Sequence, residues 1–308
     1  LMGNIEFPEE VSKCLEKGAD GVGLYRTEFL FLTGQGEPSE QEQHDAYRQA
    51  VEGAQGRPVI IRTFDLGADK YTQDKSYERE PNPMLGLRSI RYSLQHLDMF
   101  KVQLRAILRA STAGEIRIMF PLIVSLMELR QARMTLHDAM EDLEEEDIPF
   151  ARDIPVGMMM ETPAAAMQVE QFAREVDFMS VGTNDLVQYM LAVDRGNERV
   201  SRYYTPSHPS VLQCLRNILR TCQRREVEVS LCGEMAGEPL YTLLLLGLGL
   251  RNFSMAPGNV PEIKKLIRLT TIAHAERVAR RALSFETERQ VSNYLRDQTR
   301  KLLPHDPI

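Results

Sequence analysis

GVGLYRTEF (21–29), PVIIRTFDLG (58–67), VGMMMETP (156–163), MSVGTND (179–185) and VSLCGEMAG (229–237) are the stretches whose reading decides the fold. Each is an apolar run flanked by glycine or proline. Each delivers a residue able to grip an anion, hold a metal or move a proton: Arg26, then Arg62 with Asp65, then Glu161, then Asn184 with Asp185, then Cys232. Buried strands that each present one functional side chain at their C-terminal end are how a (β/α)8 barrel builds a site.

Working outward, further candidate strands fall near residues 3–6, 116–120 and 252–255, which brings the set to about eight with helical stretches between them. Their apolar residues run almost continuously instead of alternating, the pattern of parallel strands buried on both faces. The fold class expected is α/β, a (β/α)8 TIM barrel over residues 1–284 with a C-terminal helical tail over 285–308. Helices are signalled by Ser39 ahead of acidic first-turn residues, by Ser125–Glu146 with Leu126, Leu129, Met134, Leu136, Met140 and Leu143 on an inward face, and by Pro209–Arg225 and Pro261–Ala282. The loop Gly67–Pro83 is long and polar, the kind of loop that is often functional.

The chain has 308 residues, 43% hydrophobic and 26% charged, enough for one large core. A formal net charge of −7 argues against nucleic-acid binding, so the arginines must act locally. The four cysteines, Cys14, Cys214, Cys222 and Cys232, form no CxxC pair, which argues against a zinc site or a redox dithiol. The longest apolar stretch, 241–250, is too short to span a bilayer. A cytoplasmic setting, away from membranes, is expected. Leu1 to Ile5 begins almost inside the first strand, so we expect a domain excised from a longer protein.

Arg26, Arg62, Arg88 and Arg195 are the anion-binding candidates, because a guanidinium binds phosphate or carboxylate oxygens in pairs. The competing reading for any one of them is a surface salt bridge. It is less natural for Arg26 and Arg62 at the ends of apolar strands, and stronger for Arg88 and Arg195. Glu161 and Asp185 are the metal candidates: Mg²⁺ takes one or two carboxylates and completes its shell with water and substrate phosphate. Singly, each also reads as a helix-terminal residue. Asn184 can donate to a substrate. Cys232 reads either as a small buried residue or as a proton donor. No histidine pair has metal spacing, and His208 in a proline-rich turn reads as structural.

Together GADGVGLYRTEFLF, RTFDLGADK, NPMLGLRSIR, LRAILRAS, IRIMFPLI, GMMMETPAA, VDFMSVGTNDLVQYMLAVDRGNERV, LCGEMAGEP and GLGLRNFSM cover nearly the whole chain in order. They resemble the C-terminal domain of Enzyme I of the bacterial phosphotransferase system, the phosphoenolpyruvate-protein phosphotransferase family. The resemblance implies a barrel that binds phosphoenolpyruvate, Mg²⁺ and pyruvate and that forms a homodimer. It implies Glu161 and Asp185 as Mg²⁺ ligands, and Arg26, Arg62, Asn184 and Arg195 on phosphate and carboxylate, with Arg88 nearby. Cys232 is implied as the acid that protonates the enolate. The implied partners are an acceptor-His domain of the same protein and a downstream phosphocarrier protein. The family's acceptor motif, GG-x-x-SH-x-A, is absent from this chain. Ala68 in GADK and the TGQGEPSEQEQ stretch are similar to the nitrogen-related branch, and the sequence leaves the branch, sugar or nitrogen-related, open. Two alternatives share much of this reading: a pyruvate phosphate dikinase or phosphoenolpyruvate synthase type barrel, and a non-catalytic phosphoenolpyruvate-sensing dimer module. LAVDRGNERV and the compact length favour Enzyme I over the first. The two carboxylates, the arginines and Cys232 weigh against the second.

Overall fold

A computed structural model of the chain describes residues 1–33, 37–66 and 80–303. Its eight strands are β1 Met2–Ile5, β2 Val22–Arg26, β3 Val59–Arg62, β4 Ile116–Phe120, β5 Val156–Met160, β6 Phe178–Val181, β7 Glu228–Leu231 and β8 Asn252–Met255. They follow in the order β1 to β8 round a closed barrel. All eight fall where the apolar runs place them. β3, β5 and β6 are buried at every residue, as strands with side chains packed on both faces must be. Of the loop Gly67–Pro83, residues 67–79 lie outside the described residues, as do 34–36 in TGQGEPSEQEQ and 304–308 of the tail.

The described residues group into two compact units. The first, Gly3–Met159, holds the parallel pairings β1–β2, β2–β3, β3–β4 and β4–β5. Its helix Glu40–Gly53 starts on a capping box in which the Ser39 side chain accepts from Glu42 N–H while the Glu42 carboxylate accepts from Ser39 N–H. The helix Leu126–Glu145 starts the same way on Ser125 and Glu128. Its inward face is Leu129, Ala132, Thr135, Leu136, Ala139 and Leu143. Met134, expected on that face, is instead 61% exposed. It is five residues past Leu129, about 140° further round the helix, and so faces outward.

The second unit is Met160–Ile308 with Leu1–Met2. It holds the parallel pairs β6–β7 and β7–β8. The Pro209–Arg225 helix is present as expected, and His208 at its N-cap accepts from Ser210 N–H through Nδ1. The single helix expected over Pro261–Ala282 is two: Val260–Leu269 and Ile272–Ala282. Thr270 and Thr271 between them are extended, and the Thr271 hydroxyl caps the second helix by accepting from His274 N–H. Two β-branched residues whose hydroxyls compete for backbone groups favour that break. The tail forms a helix, Glu288–Leu302, that buries Val291, Leu295 and Thr299 at four-residue spacing. It packs on the helices Pro239–Leu248 and Ile272–Ala282.

Those last two helices approach so closely that a Cβ on Gly247 would sit 2.0 Å from the Ala275 carbonyl oxygen. Backbone there has no room to move aside without separating the helices. Gly247→Ala is therefore expected to destabilise the protein by about 1–3 kcal/mol, the usual range for overpacking. Denaturant titration checks this, and an unchanged midpoint would show that the helices separate freely.

Candidate functional site

Two groups of side chains form at C-terminal strand ends, one in each unit. In the first unit β2 and β3 are paired so that Arg26 and Arg62 are register partners. Adjacent strands lie about 4.8 Å apart, so the two arginines leave neighbouring strand ends. Arg62 is 9% exposed. Its Nη2 donates to Glu28 Oε1 at 3.0 Å and its Nη1 pairs with Asp65 Oδ2 at 2.8 Å. The other Asp65 oxygen, Oδ1, accepts from Arg88 Nη2 at 2.8 Å. One buried carboxylate thus bridges two buried arginines. Arg26, half-buried, donates to Glu6 Oε1 at 3.0 Å.

The charges explain the acid strengths. Burial pushes the Asp65 carboxyl up, but Arg62 and then Arg88 outweigh it and hold the group below the ordinary carboxylate range. Burial pushes the Glu28 carboxyl up; Arg62 opposes this, Asp65 adds to it, and the net direction is upward. Asp65 is therefore the principal counter-ion of the group.

A buried amide holds the strand end in place. Gln103 Oε1 accepts from Phe64 N–H at 2.9 Å, and its Nε2 donates to the hydroxyls of Thr27 and Tyr47 at 3.1 Å each. Thr27 in turn donates to the Arg62 carbonyl at 2.9 Å. Beside Arg88, the fully buried Ser89 has φ 59° and ψ −136°, and its N–H donates to the Leu66 carbonyl at 3.0 Å. A non-glycine residue there costs on the order of 1–3 kcal/mol, and such strain collects where a side chain must be aimed.

In the second unit Glu161 directly follows β5 and is 2% exposed. Asn184 and Asp185 fall in the first turn of the helix Thr183–Leu191, and Asp185 is buried. The ends of β5 and β6 are joined where Gly182 N–H donates to the Met160 carbonyl at 3.2 Å. Cys232, buried after β7, donates its N–H to the Val181 carbonyl at 3.1 Å, with its thiol 3.8 Å from the same oxygen. A Cβ on Gly233 would lie 2.0 Å from Thr183 Oγ1, so only glycine lets this loop meet the helix start. Asn184 Nδ2 donates to Glu234 Oε1 at 3.2 Å, and Glu234 N–H donates to Asn184 Oδ1 at 2.9 Å. Arg195 Nη2 lies 3.4 Å from Asp185 Oδ1. Tyr204 donates to the Asn184 carbonyl at 3.3 Å. Its phenol is pushed up to about 12, chiefly by burial, with Arg195 opposing and Glu234 adding.

The structure thus groups Arg26, Arg62 and Arg88 in one set, and Glu161, Asn184, Asp185, Arg195 and Cys232 in the other. Sequence reasoning missed Glu28, Gln103, Glu234 and Tyr204. Glu28 and Glu234 each follow an expected site residue by two positions, the one signal available. Among the described residues no cluster of three or more His, Cys, Asp or Glu side chains forms a metal cage. Buried Glu161 and Asp185 at joined strand ends do suit a cation such as Mg²⁺, which needs only one or two carboxylates.

Asp65→Asn leaves two buried guanidinium groups without their charge partner, and is expected to cost about 3–5 kcal/mol at neutral pH. Because the folded carboxyl is held below its unfolded value of about 3.9, its contribution is complete above that pH and is lost as pH falls through the folded value. Denaturant titrations of both proteins across acid pH should show the difference narrowing below pH ~4. A gap of constant size would contradict the charge assignment.

The family described as PEP-utilising enzyme, PEP-binding domain, matches residues 1–272. Phosphoenolpyruvate-protein phosphotransferases from Priestia megaterium and Haemophilus influenzae are each 43% identical to the chain over 96% of its length, and the one from Enterococcus faecalis is 42% identical over 97%. The chain covers 52%, 52% and 53% of those proteins, about half of each. A citrate lyase from Burkholderia xenovorans superposes over 97% of this chain and 89% of its own with a TM-score of 0.52 at 13% identity, a likeness of fold alone. With strand-end arginines and buried carboxylates in place over the matched residues, the chain belongs to the PEP-binding domain family of PEP-utilising enzymes.

Proposed function

We propose that this chain binds phosphoenolpyruvate and, within a longer protein, catalyses transfer of its phosphoryl group to a histidine on a separate domain, releasing pyruvate. The observation that carries the reading is the register pairing of Arg26 with Arg62, backed by buried Arg88. Arginines at neighbouring parallel strand ends suit a ligand carrying both phosphate and carboxylate.

In this reading Arg26, Arg62, Asn184 and Arg195 hold the phosphate and carboxylate, with Arg88 completing the anion site. Glu161 and Asp185 would hold Mg²⁺, which would supply positive charge against the phosphate oxygens. The acceptor imidazole attacks phosphorus as the bond from phosphorus to the enol oxygen breaks. The electron pair leaves on the enolate, and C3 takes its proton from the Cys232 thiol, giving pyruvate. The barrel would span 1–284 and the tail 285–308. The partners proposed are the acceptor-His domain, a downstream phosphocarrier protein and a second copy of the chain, in the cytoplasm. Among the described residues no helix is long and apolar enough to cross a membrane.

Three measurements test this. Phosphoenolpyruvate should bind much more weakly in EDTA than with Mg²⁺, because Glu161 and Asp185 otherwise set two negative charges beside an anion. Equal calorimetric affinity would remove the metal assignment. In the whole protein, Cys232→Ala should abolish pyruvate formation while leaving phosphoenolpyruvate affinity within a few-fold of wild type, because a donor acting after transfer adds little to ground-state binding. Normal turnover would reduce Cys232 to a packing residue. Finally, the segment from Val187 to Tyr204 carries Arg195 together with Tyr203, which is 55% exposed. If that segment forms a dimer face, sedimentation should show tighter association when phosphoenolpyruvate and Mg²⁺ are added. A monomer at tens of micromolar in both conditions would refute the dimer.

A further inference from the structure

Arginines also gather in the second unit, away from the residues assigned above. A cleft of about 310 Å³ is lined by Arg216, Arg220, Arg251 and Arg280, with Glu276 as its one carboxylate and Gly247 among its lining residues. The arginines come from three places in the fold. Arg216 and Arg220 stand one turn apart on the helix Pro209–Arg225. Arg280 belongs to the helix Ile272–Ala282, and Arg251 directly precedes β8. Arg251 is therefore at the N-terminal end of β8, whereas Cys232 follows the C-terminal end of β7, its parallel neighbour. The cleft belongs to the opposite end of the strands from the site already described.

A row of arginines on one helix is ordinarily a solvated face. Three observations separate this cleft from that case. Arg251 is pinned, its Nη1 donating to the carbonyls of Leu246 at 3.0 Å and Leu250 at 2.8 Å, so the rest of its fork is held in a fixed direction. Among the described residues, Arg216 and Arg220 pair with no carboxylate, and Arg280 has only an exposed partner, Glu276, at 3.8 Å. Such an exposed pair contributes little and yields readily to a better anion. Lastly, a chain of net charge −7 sets four guanidinium groups around one carboxylate, which concentrates like charge at an energetic cost unless an anion is bound.

We propose that this cleft is a binding site for a small polyanion with two or more phosphate groups, such as a condensed phosphate or a multiply phosphorylated metabolite. Guanidinium forks match phosphate oxygens in pairs, and four of them call for more charge than one carboxylate or one phosphate monoester carries. The volume is at the small end of ligand pockets, which fits a compact anion. Catalysis in such barrels belongs to the C-terminal strand ends, so the ligand here acts away from the chemistry. None of these residues is used in the proposed reaction, and the inference does not depend on it.

Inorganic tripolyphosphate titrated calorimetrically into the whole protein at low salt is the test. The active-site arginines can also attract it, so two variants locate the binding. Arg216→Ser with Arg220→Ser removes two cleft cations that hold no ion pair, and thermal denaturation checks that this double variant stays folded. It should weaken tripolyphosphate binding, or one of two classes of site, by roughly tenfold or more. Arg26→Ala should leave that class unchanged, and added salt should weaken it. The proposal is overturned if tripolyphosphate does not bind, or if its binding survives the double variant.

Discussion

The bridge from Asp65 to both Arg62 and Arg88 is the interaction on which the arginine group of the first unit depends. Two buried guanidinium groups repel each other and lack water, so neither position is tenable without a carboxylate between them. Asp65 supplies one oxygen to each at 2.8 Å. Glu28 adds a second acceptor for Arg62, but its carboxyl is pushed up where that of Asp65 is held down. The two acids are therefore not equivalent. One is the fixed counter-ion; in the proposed reading the other would give way to an incoming anion at Arg62. Because both arginines are already desolvated and held by Asp65, a bound phosphate would meet positive charge whose main support stays in place, as electrostatic catalysis requires.

The strands were legible because a parallel barrel demands apolar residues on both faces, and such runs stand out between Gly and Pro. The residues at their ends were legible for the same reason: a charge that closes an apolar run, like Arg62 after Val59-Ile60-Ile61, is hard to explain otherwise. Helix starts were legible where a serine supplies the cap, as at Ser39 and Ser125. The break at Thr270–Thr271 was not, because two threonines are tolerated inside a helix and only the hydroxyl's partner decides. Met134 failed for a related reason. An apolar residue fits either face in the sequence, and the actual rotation is set by Ala132, Thr135 and Ala139, which carry weak hydrophobic signals.

The partners of the site were harder to read than the site itself. Glu28 and Glu234 look like ordinary surface acids in a chain with 44 acidic residues. Only the fold places Glu28 against Arg62 and closes the two hydrogen bonds between Glu234 and Asn184. Gln103, in the middle of an amphipathic helix, gives no hint that it ties the ends of β2 and β3 through Thr27 and Phe64. Residues that position others carry no pattern of their own, because their chemistry lies in a partner distant in sequence.

The role proposed for Cys232 would rest on position rather than reactivity. A cysteine that attacks substrate needs its thiolate, and so a cationic neighbour or a helix N-terminus to lower its pKa. The proposed reaction asks the reverse: the group must arrive carrying its proton. What it needs is to be in place when the enolate forms. The backbone supplies that. Cys232 N–H is bonded to the Val181 carbonyl, and the next residue is wedged against Thr183 so tightly that any side chain on Gly233 would collide with its hydroxyl. The same contact sets the first turn that carries Asn184 and Asp185. Cys232, Asn184 and Asp185 therefore share one closely packed junction between β6 and β7, and a shift large enough to misplace one of them displaces all three.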